Sequence, residues 1–419
     1  MTSPPTSVVP ALRARMLRNP ALAPQQPYGA RREAILSRAA LASAHAAITA
    51  WPGYAPTPLH GLPALARQLG VARIDYKDEG GRFGLGSFKA LGGAYAVARQ
   101  LCRVASHQLG RAVTLSELDD PKVRQVSASV TVTCATDGNH GRSVAWGAKM
   151  FGCQCVIFVH ATVSAGRADA IARYGAQVVR TEGNYDDSVR QAAQQAQANG
   201  WHVISDTSYP GYTEVPRDVM QGYQCMVEEA SGQWAQWPTH VFIQAGVGGF
   251  AAAVCAWFWE RARQAGRHRP TFVVVEPDKA DCLYRSAQAQ RLTPVTGALD
   301  TLMAGLACGE VSLLAWEILQ QGADAFVTVD DAAAVAVMRL LASPLPGDPA
   351  IVAGESATAG LAAAIAIAQD AAQRAQLGIA PDSRLFFIGS ERDTDPTLYA
   401  QLVPAQATDA TAEVHHAAH

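Results

Sequence analysis

Lys77-Asp78-Glu79-Gly80-Gly81-Arg82-Phe83-Gly84-Leu85-Gly86-Ser87-Phe88-Lys89-Ala90-Leu91-Gly92-Gly93 lies between a predicted strand, 74–77, and a helix carrying Ala94 to Gln100. A glycine-rich turn that opens a helix lets backbone N–H groups approach an anion. Lys89, at the mouth of that helix, has two readings. In a partly apolar pocket its pKa falls and it acts as a nucleophile toward a carbonyl, forming a Schiff base. Otherwise it is a solvated lysine beginning an exposed helix. The rest of the chain decides between them.

Beyond this stretch, strands and helices alternate. Apolar or β-branched runs at 130–135, 156–159, 177–180, 202–205, 240–244, 272–275, 326–329 and 385–388 predict strands. Helices are predicted at 31–50, 165–174, 185–199, 212–231, 250–266, 279–290, 310–321, 331–342 and 358–376. Near-continuous apolar strands separated by helices predict an α/β fold with buried, mostly parallel sheets. Residues 51–59 are predicted extended, because each X-Pro step disfavours helix. Residues 1–29 read as an irregular lead-in. The Ala-, Thr- and His-rich tail, 404–419, reads as disordered.

The 419 residues, 49% of them hydrophobic, suffice for one large core or two modest ones. A formal net charge of −2 with mixed signs recommends neither nucleic acid nor an anionic membrane as a partner. Prolines break residues 1–24, which hold no apolar run long enough for a secretory signal. Val241 to Trp259 is long enough to span a membrane, but Gln244 and the glycines at 246, 248 and 249 make it a strand, a tight loop and a helix. The expectation is a soluble, cytoplasmic protein. The eight cysteines include no Cys-x-x-Cys pair, so no metal site is expected and reduced thiols are the default. Whether Cys282 and Cys308 pair is left open.

Four further stretches can carry chemistry. Gly246-Val247-Gly248-Gly249-Phe250 joins a strand to a helix, where small residues let the backbone close around a phosphate. It is neither a Walker loop nor a dinucleotide fingerprint, and close strand–helix packing explains such glycines equally well. Ala135-Thr136-Asp137-Gly138-Asn139-His140-Gly141 follows a strand, at the edge where open α/β sheets bind ligands. There Asn139 can hydrogen-bond a ring hydroxyl, and Asp137 is either a helix cap or a proton-transfer group. Ser205-Asp206-Thr207-Ser208-Tyr209 ends another strand, with Asp206 either a turn-former or a base. Gly389-Ser390-Glu391-Arg392-Asp393-Thr394-Asp395-Pro396 follows the last strand. Ser390 there can meet the nitrogen of a ring whose phosphate lies in the glycine loop.

Ser87-Phe88-Lys89, Asp137-Gly138-Asn139-His140-Gly141 and Gly246-Val247-Gly248-Gly249, in that order, resemble the fold-type II pyridoxal-phosphate enzymes, such as threonine and serine dehydratases, cysteine synthase and tryptophan synthase β. The resemblance extends, over roughly residues 50–400, to the diaminopropionate ammonia-lyase family. Lys77-Asp78-Glu79, Arg82 to Leu85, Asp206 to Tyr212, Met220 to Tyr223, Leu299 to Leu306, Gly354-Glu355-Ser356 and Asp393 to Pro396 carry it. Two stretches depart from that family: Gly86-Ser87 before Phe88-Lys89, and Arg392 after Glu391, which brings a cation toward the cofactor end.

The resemblance implies two open α/β domains with pyridoxal 5′-phosphate in the cleft between them. The larger would comprise 30–95 plus 236–403 and the smaller, mobile one 96–235. Lys89 would carry the cofactor as a Schiff base, with Phe88, Asn139, Gly246, Val247, Gly248, Gly249 and Ser390 holding it. Asp206 would take the proton from an L-substrate and Asp137 from a D-substrate. The implied reaction is elimination of ammonia from 2,3-diaminopropionate, giving pyruvate and ammonia, by a homodimer. A serine/threonine dehydratase or β-replacing enzyme, and a non-catalytic cofactor binder, are the competing readings.

Overall fold

Strands covered by helices on both faces have no polar side, which is why 272–275 (Phe-Val-Val-Val) and 385–388 (Leu-Phe-Phe-Ile) are unbroken apolar runs. The computed structural model describes residues 8–23, 26–136, 138–183 and 185–404. In chain order the strands are β1 (Arg15–Arg18), β2 (Leu59–Gly61), β3 (Arg73–Asp78), β4 (Thr131–Ala135), β5 (Gln154–Val159), β6 (Gln177–Arg180), β7 (His202–Val203), β8 (His240–Gln244), β9 (Thr271–Pro277), β10 (Ala325–Val329) and β11 (Arg384–Gly389). They form a seven-stranded sheet, β1-β10-β9-β8-β11-β3-β2, and a four-stranded sheet, β6-β5-β4-β7. The inner strands of the first sheet are parallel, and only the edge strands β1 and β2 run antiparallel. The second sheet is parallel throughout. The fold is the expected α/β class.

Parallel pairing has a direct consequence for function. The segments leaving β3, β8 and β11 all emerge at one edge of the large sheet, and those leaving β4 and β7 at one edge of the small sheet. All five stretches singled out in the sequence are such segments. In open parallel sheets this edge is where ligands bind.

A bundle of helices joins the two sheets. The helix Lys89–Leu109 packs against Asn139–Phe151 and against Glu214–Ser231, and the latter also packs on Gly249–Gln264 and Arg38–Thr49. Glycines allow the crossings. A Cβ on Gly147 would lie 2.7 Å from Ala94 Cα, and one on Gly222 would lie 2.0 Å from Leu91 O. Backbone therefore meets backbone beside Lys89, fixing where its helix begins.

The lead-in is not wholly irregular. Residues 15–18 form β1, paired with β10 from Arg15↔Thr328 to Arg18↔Ala325. Four residues with no clear alternation give no strand signal by themselves; the exposed edge of β10 supplies it. Likewise, the helix expected over 31–50 is two helices, Gly29–Glu33 and Arg38–Thr49, because the Ser37 side chain caps the second by accepting from Ala40 N. The helix expected over 358–376 divides at Asp370, which caps Ala371–Leu377. The tail expected to be disordered lies, from 405 on, outside the described residues. Val241 to Trp259 forms β8, the glycine loop and a helix, and among the described residues no helix is long and apolar enough to cross a membrane.

Candidate active site

Lys89 is the first residue of its helix, and Phe88 is tied to the end of β11 by Phe88 N donating to Ser390 O at 3.0 Å. An antiparallel bridge joins Ser87 to Glu391. The stretch preceding the lysine is held from beneath by buried charges: Lys77 at the end of β3, Glu79, Arg82 and, from the helix Glu214–Ser231, Glu229. Lys77 Nζ also donates to Thr57 O at 2.7 Å and Gln233 Oε1 at 2.8 Å. The approach to Lys89 is thus rigid.

Lys89 Nζ lies 2.6 Å from Asp206 Oδ2, and each side chain keeps 19% of its surface exposed. Two of the sequence candidates from different sheets are therefore in direct contact. Burial opposes a charged amine here, but the Asp206 carboxylate and the Tyr223 phenol outweigh it and hold the Lys89 pKa well above its ordinary value. The depressed lysine pKa expected from an apolar pocket is not found, since the pocket supplies a counter-ion. Burial likewise opposes the Asp206 charge, yet Lys89 and His140 keep its carboxyl ionised well below the usual range. The Phe88 ring is buried between Tyr223, 4.7 Å between centroids, and Phe250, 4.5 Å, as an apolar floor under the amine.

The glycine loop leaves backbone donors at the start of a helix. Gly248 has φ +96°, and Gly249 starts a helix of 16 residues. Among the described residues, the N–H groups of Gly246, Val247 and Gly248 donate to no backbone carbonyl, while Gly246 and Val247 remain partly open. Backbone donors left over at a helix N-terminus fit a phosphate. A Cβ at Gly248 would lie 3.1 Å from Ala315 Cβ, and at +96° an L-side chain is strained as well. Gly248→Val should therefore weaken pyridoxal-phosphate binding by about tenfold or more, corresponding to 1–2 kcal/mol of distortion. Equilibrium titration of the cofactor-stripped protein checks this.

Ser390, buried at the end of β11, accepts a hydrogen bond from Gln244 Nε2 at 2.9 Å, and the same nitrogen donates to Ile388 O at 2.9 Å. With its oxygen engaged as acceptor, the hydroxyl proton remains available to a ring nitrogen. Gln244 lies two residues before Gly246, so the loop and the serine are joined through one side chain. Arg392 turns away from the site: its exposed guanidinium pairs with Asp393 Oδ1 at 2.7 Å. The cation expected at the cofactor end is a surface charge. Asn139 opens its helix, receives Arg142 Nη2 on Oδ1 at 2.8 Å and donates from Nδ2 to Glu391 Oε2. Asp137 lies outside the described residues.

Glu391, Gln244, Arg142 and Tyr223 form part of this constellation, yet no role for them was legible from residue order alone. The one legible signal was Glu391, a carboxylate directly after a strand that ends beside the cleft. All eight cysteines, Cys282 and Cys308 included, are outside any disulfide; Cys282 Sγ lies 3.8 Å from Gly246 O.

The residues present fit a phosphorylated aromatic aldehyde. The loop offers N–H donors for the phosphate, Ser390 a proton for the ring nitrogen, Asn139 an amide for a phenol, and Lys89 an amine for the aldehyde. Comparison with known proteins agrees. Residues 50–384 match the family model described as pyridoxal-phosphate dependent enzyme. The chain is 41% identical over 357 residues to diaminopropionate ammonia-lyase of Escherichia coli K12, covering 84% of this chain and 88% of that protein. It is 39% identical over 364 residues to that of Salmonella typhimurium, covering 84% and 89%. The crystal structure of the holo Escherichia coli enzyme superimposes with a TM-score of 0.84 at 36% identity, covering 94% of this chain and 98% of that one. The same values hold for that enzyme in complex with an aminoacrylate–PLP azomethine reaction intermediate. A tomato threonine deaminase, at 21% identity and a TM-score of 0.68, shares the fold. This chain belongs to the pyridoxal-phosphate-dependent enzymes and, within them, to the diaminopropionate ammonia-lyase family.

Proposed function

We propose that this protein eliminates ammonia from D- and/or L-2,3-diaminopropionate, with pyridoxal phosphate held on Lys89. The Lys89–Asp206 contact carries the reading. When bound, the cofactor supplies an electron sink that stabilises charge at the substrate Cα. This chain's residues do the rest. Lys89 must lose a proton before its amine can attack a carbonyl, and Asp206 Oδ2, 2.6 Å away, accepts a hydrogen bond from the ammonium and holds it in place until then. Asp206 is kept ionised by its neighbours, the state required of a base at Cα. Its negative charge also suits a substrate whose second amine is cationic. That amine departs as neutral ammonia, and the released 2-aminoacrylate hydrolyses to pyruvate and a second ammonia. The hydroxyl of serine needs a proton donor to leave, so a site in which Asp206 is held ionised favours the amine.

The reading assigns Asp206 to the L-substrate and Asp137 to the D-substrate. Asp206→Asn should lower kcat/KM for L-diaminopropionate by roughly 10²- to 10⁴-fold while the D-enantiomer is largely spared. Pyruvate release from each enantiomer and from serine measures both effects. Equal loss on both enantiomers would overturn the assignment, and faster turnover of serine would favour a dehydratase.

We also read the two sheets as two domains, a larger one of 30–95 plus 236–403 and a smaller, mobile one of 96–235. The helix Glu214–Ser231, which packs on both Lys89–Leu109 and Gly249–Gln264, lies where the two would meet. A cytoplasmic homodimer fits the family resemblance, and light scattering on the purified protein tests the dimer.

A further inference from the structure

Asn139 is gripped on both ends of its amide by groups of opposite character. Arg142 is a donor only, and its Nη2 meets Oδ1 at 2.8 Å. The Glu391 carboxylate is an acceptor only, and its Oε2 meets Nδ2. Flipping the amide would set donor against donor and acceptor against acceptor, so one orientation is fixed.

Both grips are themselves anchored. Arg142 Nη1 donates to Leu85 O at 2.9 Å, in the approach to Lys89. Buried Glu391 accepts from Ser356 N on Oε1 at 3.2 Å, its carbonyl accepts from Gly354 N at 3.0 Å, and its backbone bridges Ser87. The neighbouring Glu355 carboxyl is pushed up to about 7 by burial and by the Glu391 charge, and it receives Arg167 Nη2 at 3.1 Å. A primary amide has two N–H groups. Glu391 takes one, and Asn139 is only partly buried, which leaves the other for a further acceptor.

We propose that Glu391 is a positioning residue: together with Arg142 it aims the second Asn139 N–H at the cofactor's phenolic oxygen, and it ties the small sheet's helix to the Lys89 approach. This rests on the reading that Asn139 meets the phenol. Since Glu391 acts through Asn139, its removal should change the cofactor's electronic state before it changes the fold.

The test uses the holoprotein and three single variants, Asn139→Ala, Glu391→Ala and Glu391→Asp, with the double variant Asn139→Ala/Glu391→Ala. The readouts are the ratio of the cofactor's visible and near-ultraviolet absorption bands, which reports proton position at the phenol, and the Kd for pyridoxal phosphate. All three single variants should shift the band ratio in the same direction and weaken binding by about two- to tenfold, the value of one net hydrogen bond. Glu391→Asp keeps charge and fold but withdraws the carboxylate, so it serves if Glu391→Ala does not fold. In the Asn139→Ala background, Glu391→Ala should add no further shift.

A wild-type band ratio in Glu391→Asp, or an additive effect in the double variant, overturns the inference while leaving Asn139 in place. A wild-type ratio in Asn139→Ala overturns the phenol contact itself and the inference with it. Loss of Lys89-dependent colour in the wild type would instead indict the functional reading.

Discussion

Lys89→Ala is expected to be colourless and to release pyruvate at least about 10⁴-fold more slowly than the wild type. On the reading proposed above, the variant removes the amine that joins the aldehyde, and with it the ammonium opposite Asp206. Positioned nucleophilic and proton-transfer roles fall together when one residue serves both. The change also leaves Asp206 without the ammonium that keeps it ionised, so part of any loss could arise from a perturbed pocket. Lys89→Arg separates the two effects. It restores a cation beside Asp206 but cannot form the bond, because guanidinium stays protonated. It should regain thermal stability while remaining colourless and inactive. Undiminished pyruvate formation by Lys89→Ala would dismiss the whole assignment.

Glu229→Ala is expected to destabilise the protein by about 3–5 kcal/mol, a large part of a typical folding free energy. Four buried charges meet where β3 leads into the lysine stretch: Lys77 and Arg82 against Glu79 and Glu229. Arg82 Nη1 lies 3.0 Å from Glu229 Oε2, and Arg82 Nε lies 2.8 Å from Glu79 Oε2. Without Glu229, two buried cations face one carboxylate. The unpaired cation, rather than the lost attraction, accounts for most of the cost. Replacing Lys77 and Glu229 together by Met should therefore recover much of the loss, which denaturant titration of the single and double variants would reveal.

The same cluster sets an acid limit. Burial disfavours the Glu229 charge, but Arg82 and Lys77 bring its pKa down from an ordinary 4.5 to about 2. A folded value below the unfolded one stabilises the protein above about pH 4.5, and that stabilisation disappears as pH falls toward 2. The linkage amounts to about 3 kcal/mol. Glu229→Gln should accordingly flatten the loss of stability between pH 4.5 and 2. An unchanged acid profile would show that other carboxylates govern it.

The apolar runs at 240–244, 272–275 and 385–388 were enough to identify a buried parallel sheet, because a strand covered on both faces must be apolar at successive positions. Chain order alone also marked which stretches leave strand ends, and those stretches hold Lys89, Asn139, Asp206, the glycine loop and Ser390. Strand β1 was hidden, since its four residues become a strand only when the edge of β10 is present to pair with them. The break at Ser37 was hidden for a different reason: a helical composition on both sides outweighed one capping hydroxyl.

Sequence by itself determined the fold class, the order of the motifs and the chemistry each could perform, because these depend on residue type and local spacing. Only the tertiary structure decided which charges meet. It paired Lys89 with Asp206 from the other sheet, raising a pKa that an apolar pocket would have lowered. It turned Arg392 to solvent and brought Glu391, 252 residues away in the chain, onto Asn139. Electrostatic partners are set by distances of a few ångströms between segments far apart in sequence, and pattern along the chain carries no measure of those distances.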